Sequence, residues 1–258
     1  MISFFKRVFS FFIKQVAKTA IFLFTTLLII ILALIIFSPK QNDLPDNFTL
    51  IIDITDLADS DQCKGVDALI ENKKCFTLQQ VTSALKHAET NDNVKDVIIN
   101  FKNIKSNLAN YQSLSYAIKS LAQKKTVTVY SENYNIHAYL AGSGASKIIL
   151  HPTGYLEMKG LGFQLLYFSN LIKSLGLEVE PIRAGKFKSA VEPFILDSMS
   201  ADNKYQLTQL SNGLWQGIKG LIIKNRKLNN NILDEIANTK GYLMPNEALQ
   251  YGLVDSLG

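Results

Sequence analysis

Three apolar runs decide the fold: VKDVIINF at Val94–Phe101, TVTVY at Thr126–Tyr130 and KIILH at Lys147–His151. Each is short and rich in β-branched residues, which is typical of strands. Apolar residues at helical spacing predict crossover helices at Tyr111–Ala122 and Ile136–Gly142, between these strands. Apolar strands that alternate with helices of this length indicate parallel βαβ units and an α/β fold.

Further strands and helices are predicted on both sides of these three strands. The run FTLIIDI at Phe48–Ile54 predicts a further strand, and we place one α/β domain over residues 48–258. Further helices are predicted at Leu78–Ala88, Phe168–Leu175, Ala201–Arg226 and Leu233–Ala237, with a short helix and turn in EALQYGLVD.

An uncharged stretch lies before this domain. Residues 19–39 hold no charged side chain and provide about the 20 apolar positions that a helix needs to cross a bilayer. Residues 40–47 form a polar linker. A cleaved signal peptide is the alternative, but this stretch is long for one, and Phe37-Ser38-Pro39 lacks the small residues of a cleavage site.

Charge predicts the orientation of this helix. Positive side chains concentrate in residues 1–18, and acidic residues follow the apolar stretch. We therefore expect a cytoplasmic N-terminus, a single-pass anchor in a bacterial inner membrane, and a main domain outside the cytoplasm. The four cations are Lys6, Arg7, Lys14 and Lys18. They account for most of the formal net charge of +5, so the rest of the chain is near neutral and no nucleic-acid partner is expected.

The two cysteines, Cys63 and Cys75, lie in a polar stretch expected outside the cytoplasm. A disulfide between them and two free thiols both remain open. The three histidines, His87, His137 and His151, stand far apart, so neither a metal site nor a cofactor is predicted. His137 follows the end of a strand, where α/β folds tend to build sites, although a structural role is the alternative.

The stretch RAGKFKSAVEPF at 183–194 places Lys188 among cations and apolar residues. A lysine acts as a general base only in its neutral form, which burial or neighbouring cations favour. The alternative is the first turn of an amphipathic helix, with Lys188 and Glu192 paired four residues apart. The pattern alone leaves both open.

RAGKFKSAVEPFILDSMS resembles the lysine motif of the signal peptide peptidase A family, the membrane-bound protease IV group. SENYNIHAYLAGSGASKIILHPTGYLEMKGLGF and the closing EALQYGLVDSLG resemble other segments of that family. The resemblance extends from about Phe48 to the end. It implies a Clp protease/crotonase-like fold and a Ser–Lys dyad that degrades released signal peptides, with Lys188 as the general base.

The sequence departs from the family pattern at the nucleophile. Alignment to the family places His137 at the position of the serine, and we find no nucleophilic serine. The glycine pair expected to donate oxyanion-hole amides is replaced by Ser106 and Asn107. A lysine without a serine resembles the N-terminal half of the long form of the family, in which a second domain provides the serine.

We therefore expect an oligomeric serine endopeptidase component that is inactive by itself and needs a complementary serine-bearing domain. Its expected partners are signal peptides or other membrane-released peptides and, through residues 19–39, the lipid bilayer. The alternative is an inactive, membrane-anchored pseudo-protease that oligomerises or binds peptides. An acyl-CoA enzyme is a third reading that rests on fold analogy alone.

Overall fold

A computed structural model describes residues 2–36, 46–58, 76–182 and 184–258. The chain divides into two compact units, Met1–Pro45 and Asp46–Gly258, and each is described by itself. Cys63 and Cys75 lie outside the described residues, so their pairing stays open.

The described residues of the first unit form one long helix, α1, at Ile2–Ile36. Within it, Ile13–Ala33 has a mean hydropathy of 2.4 and is long and apolar enough to cross a membrane. At 1.5 Å per residue, 21 residues span about 31 Å, close to the thickness of a bilayer core. A signal sequence near an N-terminus passes the same test of length and composition.

The second unit is an α/β domain, and the predicted parallel βαβ units are confirmed. Its strands are β1 (Phe48–Ala58), β2 (Phe76–Thr77), β3 (Val94–Lys105), β4 (Thr126–Tyr134), β5 (Lys147–Glu157), β6 (Tyr242–Leu243) and β7 (Ser256–Leu257). Its helices are α2 (Leu78–Thr90), α3 (Leu108–Leu121), α4 (Ile136–Gly142), α5 (Ser169–Ser174), α6 (Glu192–Ile195), α7 (Ala201–Arg226), α8 (Ile232–Thr239) and α9 (Pro245–Gln250).

The strands form one sheet in the order β2-β1-β3-β4-β5-β6, with β7 also paired to β5. The pairing is parallel from β2 through β1, β3 and β4 to β5. Only β6 is antiparallel to its partner, β5, among the described strands. Burial alternates along the central strands: Val97, Ile99 and Phe101 are buried, whereas Asn100 and Lys102 are not. The core therefore lies on one face of the sheet.

The central strands run further than the apolar runs predicted. Pairing between β3 and β4 ends at Phe101 and Ser131. Beyond that point β4 pairs with β5 alone, after a register shift that precedes Asn133. A cavity of about 570 Å³ opens where β3 and β4 separate, and α3 and α4 begin just after the two strands end.

Candidate functional site

Two asparagines begin the helices that follow the separating strands. Asn107 caps α3 and accepts a hydrogen bond from the Asn110 amide at 2.9 Å. Asn135 caps α4 in the same way, accepting from the Ala138 amide at 2.8 Å. Each side chain satisfies an amide that the first turn of a helix otherwise leaves without a partner.

His137 lies in the first turn of α4 and is half-buried. Its ring stacks on Tyr111 with 5.6 Å between centroids and 17° between planes. Burial lowers the pKa of His137, and the nearby charge of Glu157 opposes that shift in part. The environment therefore favours a neutral imidazole that packs against an aromatic ring.

The segment around Ser106, which was expected to provide oxyanion-hole amides, is hydrogen-bonded to neighbouring elements. The Ser106 hydroxyl donates to the Leu57 carbonyl at 2.7 Å and accepts from the Asn110 side-chain amide at 2.9 Å. The Tyr111 hydroxyl donates to the Ile104 carbonyl at 2.9 Å. These bonds join the start of α3 to the ends of β1 and β3.

Lys188 belongs to a different segment of the chain, between α5 and α6. Its side chain is exposed, and it stands immediately before a turn of 3-10 helix at Ser189–Val191 that leads into α6. The Phe168 amide donates to the Pro193 carbonyl at 2.6 Å, and the Phe168 and Phe194 rings stack at 6.4 Å. These contacts attach the lysine-bearing turn to the segment before α5.

Glu192, four residues after Lys188, is 1% exposed. Its carboxylate accepts from the Ser200 hydroxyl at 2.6 Å, the Ser200 amide at 3.3 Å and the Asn203 side-chain amide at 3.0 Å. Burial, and then the charge of Glu192, raises the pKa of the adjacent Tyr167 hydroxyl. The Glu192 carboxylate is therefore held by the first residues of α7.

The two predicted site residues thus belong to separate elements. His137 packs on Tyr111 at the start of α3, and Lys188 belongs to a turn built on α6 and the start of α7. Sequence reasoning missed the polar network around Glu192. A usable indication was present in Ser200, since a serine directly before a helical stretch is a typical N-cap.

The other two histidines lie in elements other than α4 and the Lys188 turn. His87 is an exposed residue of α2, and the His151 ring bonds to Thr153 at 2.9 Å. Within the described residues, no group of three or more His, Cys, Asp or Glu side chains could hold a metal ion.

Comparison with known proteins gives consistent matches to proteases. The chain is 30% identical to Protease 4 of Salmonella typhi over 203 residues, which cover 74% of this chain and 32% of that protein. It is 27% identical to Protease 4 of Haemophilus influenzae, covering 93% of this chain and 40% of the relative. A putative protease of Methanocaldococcus jannaschii is 29% identical over 67% of this chain and 55% of its own length. The chain therefore spans only about a third to a half of these relatives.

Two solved structures of mutants of the 1510-N membrane-bound stomatin-specific protease are also similar. Their TM-scores are 0.48 and 0.43, at 16% and 17% identity, over 83% of this chain and 81% and 77% of theirs. Residues 119–258, just over half of the chain, match the model of peptidase family S49. The chain belongs to peptidase family S49.

Proposed function

We propose that this chain is the lysine-bearing component of a serine endopeptidase that degrades cleaved signal peptides. In this proposal Lys188 is the general base, and a serine from another domain is the nucleophile. The neutral lysine amine takes the serine proton during attack on the peptide carbonyl, and later returns it to the leaving amine. Membership of peptidase family S49 supports the peptidase class.

The observation that carries this proposal is the contrast between His137 and Lys188. In this proposal His137 occupies the position of the family nucleophile. Its imidazole stacks on Tyr111, and a histidine side chain has no hydroxyl that could attack a peptide. Lys188 is instead presented at the surface on a turn held by a buried carboxylate. A base exposed on a fixed turn suits a site that another domain completes.

Exposed apolar side chains support the need for such a domain. In the second unit they concentrate between residues 163 and 187, on the N-terminal side of Lys188, and Ile182 is fully exposed. The others are Phe163, Leu165, Leu166, Phe168, Leu171, Leu175, Leu177, Val179 and Phe187. Apolar surface of this extent typically marks an interaction site. A domain covering it would also exclude water from the lysine, which favours the neutral amine.

The location follows from the apolar helix. We propose that Ile13–Ala33 anchors the chain in the inner membrane of a bacterium, with the basic N-terminus in the cytoplasm and the peptidase domain outside. A signal peptide released into the same bilayer would then reach the domain without leaving the membrane surface.

The test is hydrolysis of a fluorogenic signal-peptide-like substrate by the detergent-solubilised chain. We expect no cleavage by the chain alone, cleavage after mixing with a serine-bearing domain of the same family, and loss of that cleavage in Lys188→Ala. Cleavage by the chain alone would show that it contains its own nucleophile. Cleavage that survives Lys188→Ala would exclude the general-base role.

A second candidate is the pseudo-protease, a membrane-anchored module that oligomerises or binds peptides. The stacking of His137 on Tyr111 supports this candidate, since a histidine at the proposed nucleophile position would then have a packing role. This candidate predicts that the mixture binds the fluorogenic peptide without cleaving it, and that Lys188→Ala leaves the binding unchanged.

A further inference from the structure

Glu192 is the only charged residue among those that are buried in the described parts of the chain. A buried carboxylate is unfavourable unless hydrogen bonds compensate for its lost hydration. The Glu192 carboxylate accepts two hydrogen bonds from Ser200, the residue that caps α7, and another from Asn203 in the first turn of that helix. The partial positive charge of a helix N-terminus also favours a carboxylate at this place.

Glu192 is joined to Lys188 by a short and constrained path. The 3-10 turn at Ser189–Val191 follows Lys188 directly, and the Glu192 amide closes it by donating to the Ser189 carbonyl. The Glu192 carbonyl then accepts from the Leu196 amide at 2.8 Å, which closes α6. The Glu192 backbone is therefore part of the same short turn from which the lysine extends.

A second set of contacts holds the other side of the same turn. The Phe168 amide bonds to the Pro193 carbonyl, and the Ser169 hydroxyl bonds to the Asp197 carboxylate. Glu192 is thus the link between this turn and the 26-residue helix α7, while Pro193 and Asp197 link it to the start of α5.

We propose that Glu192 is a positioning residue for the reaction, which fixes the Lys188 turn against the N-terminus of α7. The inference rests on the proposed function of Lys188 and deepens it. A general base must lie within hydrogen-bond reach of its serine, at about 2.6–3.2 Å. A displacement of about 1 Å lowers a rate by roughly a hundredfold. Glu192 acts by holding the turn that carries Lys188.

The test exchanges the carboxylate and the amide between two positions. Glu192→Gln places a side-chain amide against donors from Ser200 and Asn203, which loosens the turn. Adding Asn203→Asp restores a donor and an acceptor, because the introduced amide then donates to the introduced carboxylate. Glu235→Gln, at an exposed glutamate of α8, is the matched control. If Glu192→Gln does not fold, Asn203→Ala removes one donor and replaces it in the series.

Two measurements on the full detergent-solubilised chain are needed. Hydrogen–deuterium exchange of residues 186–196 should rise in Glu192→Gln and return to the wild-type rate in the double variant. Cleavage by the mixture with a serine-bearing domain should lose roughly 10- to 100-fold in kcat, with KM within about twofold, and recover in the double variant. The control should change neither.

The outcomes separate this inference from the proposed function. Unchanged exchange in Glu192→Gln, or changed exchange with unchanged kcat, would overturn the positioning role while Lys188→Ala still abolishes cleavage. If Lys188→Ala itself leaves cleavage intact, the proposed function is wrong. The positioning role of Glu192 in catalysis is then wrong as well.

Discussion

The sheet with α2 to α4 and the segment from residue 159 to residue 200 are stabilised in different ways. In the first region, large side chains such as Ile99, Leu114 and Ile118 are completely buried. In the second, Leu171, Leu175 and Ile182 are exposed, and hydrogen bonds around Glu192 hold the chain in place. The first region provides most of a closed core, which residues of α7, α8 and α9 complete, whereas the second presents apolar surface that suits a partner.

The largest expected effect is a loss of stability when a core side chain of the first region is shortened. Leu114→Ala should lower the free energy of unfolding by about 2–5 kcal/mol, since it opens a cavity under the sheet. Leu175→Ala, at a side chain 65% exposed, should change it by less than about 0.5 kcal/mol. Chemical denaturation of the detergent-solubilised chain measures both. Equal losses would contradict the comparison.

A backbone test sharpens the same contrast. A Cβ added at Gly154 would lie 1.8 Å from the Glu132 carbonyl oxygen, so Gly154→Ala must displace the backbone between β4 and β5. We expect a loss of about 1–3 kcal/mol or more. A Cβ at Gly160 meets no atom within 4 Å, so Gly160→Ala should leave the thermal midpoint nearly unchanged. A large loss at Gly160 would mean that the second region is packed more tightly than its exposure indicates.

The two regions also differed in how far the sequence predicted them. The strands and helices from Val94 to His151 could be predicted because their apolar residues face the core. The spacing of apolar residues along the sequence therefore follows the secondary structure. The further extent of β3, β4 and β5 could not, because polar residues such as Asn133 continue strands whose pairing depends on neighbours distant in sequence.

The sequence motif of the site could be predicted, but the hydrogen bonds that hold it in place could not. The family resemblance identified Lys188 and the unusual His137, and the roles of both remain predictions. The burial of Glu192 was hidden, because a glutamate four residues after a lysine is typical of a solvated helix surface. Its donors, Ser200 and Asn203, meet it only through the tertiary arrangement of α6 and α7.

A charge placed on each region tests which surface meets a partner. Leu171→Glu lies in the exposed apolar segment, and Tyr116→Glu replaces a side chain of similar exposure on α3. We expect Leu171→Glu to weaken association with the serine-bearing domain at least about tenfold, and Tyr116→Glu to leave it unchanged. Sedimentation of the mixed proteins measures the affinities. A reversed ranking would place the interface on α3.

The smallest effect concerns pH and belongs to the first region. Burial holds the pKa of His137 below its ordinary value of 6.5, so the unfolded chain binds a proton more readily than the folded one. The free energy of unfolding should therefore fall as the pH decreases below about 6.5, and His137→Gln should flatten that dependence. His87→Gln, at an exposed position, controls for the loss of an imidazole. Denaturation at several pH values measures the slopes, and equal slopes for the wild type and His137→Gln would mean that the imidazole is not held in a desolvated stack on Tyr111.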